Sequence, residues 1–273
     1  MEPPCIVRYR RVTMNFVYQV QDNIAHTGPG AAGPWDPGMQ HGGAPSSLIA
    51  WAVERVPSRE PLQVARITVD LLRPVPIAPL EIRTEVVREG KKIQVCAVTL
   101  LHEGMAVVRA SVLRVRRIEL PLPETAAEEP VTLPGPDAGG EADGFGGSPN
   151  AFVHGLTLRI VRGAVRKPGP AAIWFRAHRP IVAGEAITPL MRVAMAGDFC
   201  NGASSVLDFT QWTFINADLT LSLARMPVGE WILLDAQSWL GPHGAGIAFA
   251  KLGDERGYFG RAVQSLVIEK RGS

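Results

Sequence analysis

Thr188-Pro189-Leu190-Met191-Arg192-Val193-Ala194-Met195-Ala196-Gly197-Asp198-Phe199-Cys200-Asn201-Gly202 reads as a helix carrying a carboxylate at its far end. Threonine followed by proline is a helix start: the hydroxyl accepts from a free amide, and proline suits the first helical position. Leu190, Ala194 and Asp198 recur every fourth residue, so the aspartate falls on the stripe that a leucine and an alanine mark as buried. A carboxylate there must be hydrogen-bonded or chemically used, because a bare buried charge is strongly destabilising. The plainer role is to close the helix before Asn201-Gly202 or to cap the next turn. Cys200 reads either as a nucleophile or as a small core thiol, and no histidine lies near it in sequence.

Downstream, Ile215, Ala217, Leu219, Leu221 and Leu223 alternate with Asn216, Asp218, Thr220 and Ser222, a strand that ends at Arg225-Met226-Pro227. Upstream the same order occurs once already. A Gly/Pro-rich loop over 27–43 ends at His41-Gly42-Gly43 and opens a helix with Ala44, Leu48, Ala52 and Val56 on one face. Two glycines there either make a tight turn or leave bare amides able to hold an oxyanion. His41 reads as a cap, a packing histidine or part of that site. A period-two strand with Ile67 and Val69 follows, ending at Arg73-Pro74. Three more strands come next, at Leu80–Arg88, Lys92–Leu101 and Met105–Arg116, with hairpin-like turns between them.

Sliding the chain by roughly 152 to 154 positions places Arg73 on Arg225, Arg109-Ala110 on Arg261-Ala262, and Val112 on Gln264. The expectation is a duplicated helix-plus-meander of the α+β class. Its units span 1–118 and 151–273, joined by a Pro/Gly-rich, acidic linker over 119–150 with too little apolar surface to fold alone. Strand candidates at Phe152–Arg162 and Ala172–His178 open the second unit. Another, at Met14–Val20, lies before the first loop. Gln264 shares a strand face with Leu266 and Ile268, or else simply faces solvent.

Bulk properties narrow the field. Among 273 residues, 46% are hydrophobic and 20% charged, which allows an ample core. A net charge of +2 leaves no basic footprint for nucleic acid, no apolar run is long enough to span a membrane, and the start lacks a signal-peptide pattern. Three scattered cysteines point to a reducing cytoplasm. The histidines form no ligand spacing, so neither metal nor cofactor is implied. Exposed sheet edges leave homo-oligomerisation open.

With a long helix wrapped by a meander and duplicated, the chain resembles the double hotdog fold, and more narrowly the acyl-CoA thioesterase II family and its thioesterase-like relatives. Carrying the likeness are Gly42-Gly43, Leu72-Arg73-Pro74, Asp198-Phe199, Asn216-Ala217-Asp218 with Arg225, and Val263-Gln264. It covers nearly the whole chain outside the linker. The resemblance implies hydrolysis of acyl-CoA or acyl-carrier-protein thioesters, with a helix aspartate, a strand hydroxyl residue and a late glutamine holding the attacking water. By position these are Asp198, Asn216 and Gln264, and Asn216 departs from the family's threonine or serine. Oxyanion and substrate contacts would come from His41, Gly42 and Gly43, above all the Gly43 amide. Attack by Asp198 through an anhydride is the other route. An enoyl-thioester hydratase on the same fold would need a helix histidine a few residues past its acid, and none follows Asp198. A non-catalytic acyl-thioester-binding module is the further alternative, motivated by Asn216 and the linker.

Overall fold

The computed structural model describes residues 16–141, 151–164 and 167–272. After a hairpin of β1 (Tyr18–Gln21) and β2 (Ile24–Thr27) come α1 (Gly43–Glu54), β3 (Leu62–Leu71), β4 (Leu80–Glu89), β5 (Ile93–His102) and β6 (Met105–Arg116). The first two residues of the strand expected at Met14–Val20 lie outside the described residues. Then follow β7 (Gly140–Glu141), β8 (Leu156–Arg162), β9 (Ala171–Ala177), α2 (Pro189–Gly197), the single turn α3 (Cys200–Ala203) and β10 (Trp212–Asn216). The chain closes with β11 (Asp218–Leu223), β12 (Trp231–Leu240), β13 (Ala245–Gly253) and β14 (Tyr258–Lys270). The strand expected from Phe152 begins only at Leu156, because Phe152–Gly155 turns as a short 3₁₀ helix.

All strands join one large antiparallel sheet in the order β1-β2-β4-β5-β6-β3-β11-β14-β13-β12-β9-β8-β7, with β10 beside β14. The order β2-β4-β5-β6-β3 recurs as β9-β12-β13-β14-β11, so the duplication read from sequence is a duplication of topology. The two halves meet where β3 pairs with β11, Thr68 opposite Thr220. The helices pack against each other, α1 also against β4 to β6 and α2 against β9 and β11 to β13. Leu48, Ile49, Val53, Leu190, Val193 and Ala194 are all buried between them and the sheet.

One departure from strict alternation matters for the site. Asn216 sits opposite Leu266 while Thr220 sits opposite Val263, so the strand holds one extra residue around Ala217. The same irregularity occurs at Ala65, between Val64 and Arg66. Simple parity puts Ile215 with the inward leucines and Asn216 away from them. The bulge reverses this: Phe214 is 2% exposed and Ile215 46% exposed, while Leu219 and Leu221 stay buried. Asn216 is thereby turned toward the helices.

The Pro/Gly-rich run is held against the second half as far as it is described. Glu128 bonds Arg225 and Arg256, Glu129 pairs with Lys251, and Val131 and Leu133 pack beside Trp174 and Leu233. Residues 142–150 lie outside the described residues. Arg225 is anchored in turn by Asp254, whose carboxylate accepts from both its terminal nitrogens at 2.5 and 2.9 Å and from the amides of Val228, Arg256 and Gly257. Burial pushes the Asp254 carboxyl up, but the guanidinium and the amides outweigh it and hold it below the usual carboxylate range. A depressed native pKa stabilises above the unfolded value, about 4, and that contribution disappears as pH falls through the native one. Removing the arginine leaves a buried charge uncompensated. Arg225→Leu is expected to lose about 3–5 kcal/mol in urea denaturation at neutral pH, with a smaller loss in acid.

Candidate functional site

Two helix ends meet at the site. Thr188 Oγ1 accepts from the Met191 amide at 3.2 Å and donates to Glu54 Oε2 at 2.8 Å, tying the start of α2 to the end of α1. The opposite ends then fall together, placing the start of α1 against Asp198 at the C-cap of α2. Glycine is required here for space, since Gly42 has an ordinary φ of −58°. A Cβ at Gly42 would lie 2.7 and 2.8 Å from the two Asp198 carboxylate oxygens, and one at Gly43 would lie 2.8 Å from the Phe152 ring.

Asp198 is 3% exposed and is gripped from three directions. Its Oδ1 accepts from Asn216 Nδ2 at 2.9 Å and from Gln264 Nε2 at 3.2 Å, and its Oδ2 lies 2.9 Å from His41 Nδ1. Oδ1 thus accepts two hydrogen bonds and Oδ2 none among the described residues, and of a carboxylate's four or so lone-pair sites those on Oδ2 are left.

Gln264 and Asn216 act differently. Gln264 is 0% exposed. Its Nε2 also donates to the Asp198 carbonyl at 3.0 Å, and its Oε1 accepts from the Asn201 amide at 3.0 Å. It therefore fixes the turn between α2 and α3, and it is absent from the cavity wall. Asn216 Nδ2 donates to the Asp218 carbonyl as well, at 3.2 Å, and the residue does line the cavity. His41 lies between Phe152 and Phe199, ring centroids 5.1 and 4.4 Å away. The Gly43 amide points at His41 Nδ1, 3.0 Å away.

Cys200 belongs to the core. Its thiol is buried and donates to the Gly197 carbonyl at 3.1 Å. Burial, reinforced by the Asp198 charge, drives its pKa far above the ordinary thiol range. A thiol held protonated is a poor nucleophile. Among the described residues no cluster of His, Cys, Asp and Glu could hold a metal ion.

Asp198, Asn216, His41 and Gly42 open onto a cavity of about 1240 Å³. Part of its wall is aromatic: Trp35, Phe209 and Phe214 pack with centroids 4.7 to 5.7 Å apart. Phe214 lies two residues before Asn216 on β10, hence on the same face, a signal that strand periodicity carries. Trp35 sits in the Gly/Pro-rich loop, where sequence gives no periodicity to read. A carboxylate whose Oδ2 accepts no hydrogen bond among the described residues, beside a large and mostly apolar cavity, is suited to orient and deprotonate one water.

Comparison with known proteins bears on the class of reaction. The family model for the acyl-CoA thioesterase N-terminal domain matches residues 31–115, and that for the C-terminal domain matches 123–268. No curated protein matches the chain. Among solved structures, the chain is similar to a conserved protein with a hot dog fold from Alicyclobacillus acidocaldarius. The TM-score is 0.74 at 16% identity, over 90% of this chain and 92% of that one. It is also similar to a candidate thioesterase II from Thermobifida fusca (TM-score 0.72, 16% identity, 94% and 96% covered). A third is the acyl-CoA thioesterase II TesB2 from Mycobacterium marinum (TM-score 0.66, 17% identity, 95% and 98% covered). At these identities the structures speak for the hotdog fold alone. The two domain models, which together take in most of the sequence, go further: the chain belongs to the acyl-CoA thioesterase family and is a thioester hydrolase.

Proposed function

We propose that the chain is a double hotdog, with tandem units over 1–118 and 151–273, that hydrolyses acyl-CoA thioesters at one site built around Asp198. The observation that carries this reading is a carboxylate on the cavity wall whose Oδ1 is held by two amides and whose Oδ2 accepts no hydrogen bond among the described residues. The side-chain oxygen of Asn216, on the wall of the same cavity, accepts no hydrogen bond among the described residues and is left to hold the water. An amide thus serves where the family has a hydroxyl. Gln264 positions Asp198 and does not touch the water.

In the reaction, Asp198 takes one proton as the water oxygen bonds to the thioester carbon, and the carbonyl electrons move onto oxygen. The backbone amide of Gly42, beside the positive end of α1, answers that developing charge, since the Gly43 amide already donates to His41 Nδ1. Collapse of the adduct breaks the carbon–sulfur bond, and the thiolate leaves with the proton held on Asp198. Coenzyme A, rather than a carrier protein, suits the rest of the cavity. Arg73, Lys167 and Arg271 line it, and none forms an ion pair among the described residues, so phosphates can take that place. No helix among the described residues is long and apolar enough to cross a membrane. Cys96 and Cys200 are free and buried, in keeping with a reducing cytoplasm.

A second reading rests on the His41 contact. Hydratases of this fold set a histidine beside their acid, and the loop before α1 supplies one here although none follows Asp198 in sequence.

A panel of acyl-CoAs assayed for free thiol should show turnover with at least one chain length. Silence across the panel, together with hydration of crotonyl-CoA, would transfer the site to the hydratase reading, and saturable binding without either reaction would make it a binding module. Asp198→Asn should lower kcat by about 10²–10⁴-fold while the protein stays folded. Gly42→Ala, which drives a methyl into the carboxylate, should lower kcat/KM by at least about tenfold with only about 1–3 kcal/mol lost in stability.

A further inference from the structure

Asn201, in the single turn α3 just beyond Asp198, is buried, and it lines the cavity. Its backbone amide donates to Gln264 Oε1 at 3.0 Å, its Oδ1 accepts from the Gly202 amide at 2.7 Å, and its Nδ2 donates to the Phe214 carbonyl at 3.1 Å. The last of these bonds crosses from a helical turn to the edge of a strand. Phe214 stands opposite Ile268 of β14, yet the Ile268 amide donates to the Gly244 carbonyl on the far side. The Phe214 carbonyl therefore turns away from β14, as in a non-hydrogen-bonded antiparallel pair, and Asn201 is its donor.

These contacts close a ring. Asp198 accepts from Gln264, Gln264 accepts from Asn201, and Asn201 donates to Phe214. Two residues along β10, Asn216 donates to Asp198 Oδ1 at 2.9 Å.

We propose that Asn201 is a positioning residue for the hydrolysis: by tying the edge of β10 to the turn after Asp198, it sets where Asn216 stands against the carboxylate and the water. This inference rests on the hydrolase reading and assigns a role within it. Three features carry it. Gln264 grips both ends of the turn, at the Asp198 carbonyl (3.0 Å) and at the Asn201 amide, so the turn is a fixed base for the tie. β10 is a five-residue strand paired with β14 alone, and the extra residue at Ala217 separates it from β11. Phe214 and Asn216 are joined by about 7 Å of extended backbone, so a shift at the first is passed to the second. Asn201 takes no part in the proton balance. It acts on the reaction through Asn216.

Asn201→Ser in the full chain keeps an acceptor for the Gly202 amide but ends short of the Phe214 carbonyl. Its kcat for thiol release from an acyl-CoA should fall by about 10–100-fold with KM within about threefold. A double-mutant cycle separates positioning from packing. In an Asn216→Ala background, adding Asn201→Ser should lower kcat by less than about threefold more. Losses that multiply, or a single variant with undiminished kcat, would overturn the proposal. Should the serine variant fail to fold in a urea titration, Asn201→Thr, whose methyl fills more of the space, repeats the comparison. The side-chain ¹H–¹⁵N signals of Asn216, identified by their loss in Asn216→Ala, give a readout that needs no turnover. They should shift in the Asn201 variant, and signals that stay in place would contradict the tie. A wild-type chain that releases no thiol would remove the hydrolase reading, while these signals still report whether Asn201 holds Asn216.

Discussion

A carboxylate buried at the junction of two helices is tolerable only when donors reach it from several sides, and much of the second half of this protein is arranged to supply them. Asp198 ends α2, its donors arrive from β10 and β14, and His41 of the loop before α1 lies against its Oδ2. Each arrival depends on a separate structural device. The bulge at Ala217 turns Asn216 inward, the last strand buries Gln264, and a glycine at position 42 allows the loop close enough for His41 to reach Oδ2.

The duplicated topology makes the site's singularity informative. At the offset of the repeat, Asn216 and Gln264 correspond to Val64 and Val112, both buried and both next to the matching features of β3 and β6. At these two positions the halves differ: the second has amides and the first does not. In the first, valines stand there. An apolar pair needs no hydrogen-bond partners, so Val64 and Val112 contribute packing alone. The charged junction holds one polar cluster whose members satisfy one another.

Much of the architecture could be read from the sequence because it depends on local rules. The Thr188-Pro189 cap, the buried stripe through Asp198, the hairpins and the internal repeat follow from spacing and residue type, and the structure has them. For Gln264 the strand pattern left two directions open, a face shared with Leu266 and Ile268 or solvent, and the structure buries it. What escaped depends on contacts distant in sequence. Parity along β10 and β11 misplaced Asn216, because one extra residue at Ala217 reverses every side chain before it. Gly42 and Gly43 stood out as bare amides, yet their first necessity is to admit a carboxylate and a phenylalanine ring from residues more than a hundred positions away. His41 had no sequence neighbour that revealed a partner, and the Trp35-Phe209-Phe214 wall joins a loop to a later strand. The linker looked unable to order itself. Its described part is ordered by ion pairs and two apolar side chains that find a surface on the second half.

The claim at the centre is that Asp198 delivers a water molecule and never bonds to the acyl group. A single turnover in ¹⁸O-enriched water, followed by mass analysis of the product acid and of the peptide containing Asp198, tests it directly. Direct attack by water puts the label in the free acid and leaves the aspartate peptide unlabelled. Label recovered in the Asp198 carboxylate would mean that the side chain had formed an anhydride, and would contradict the account.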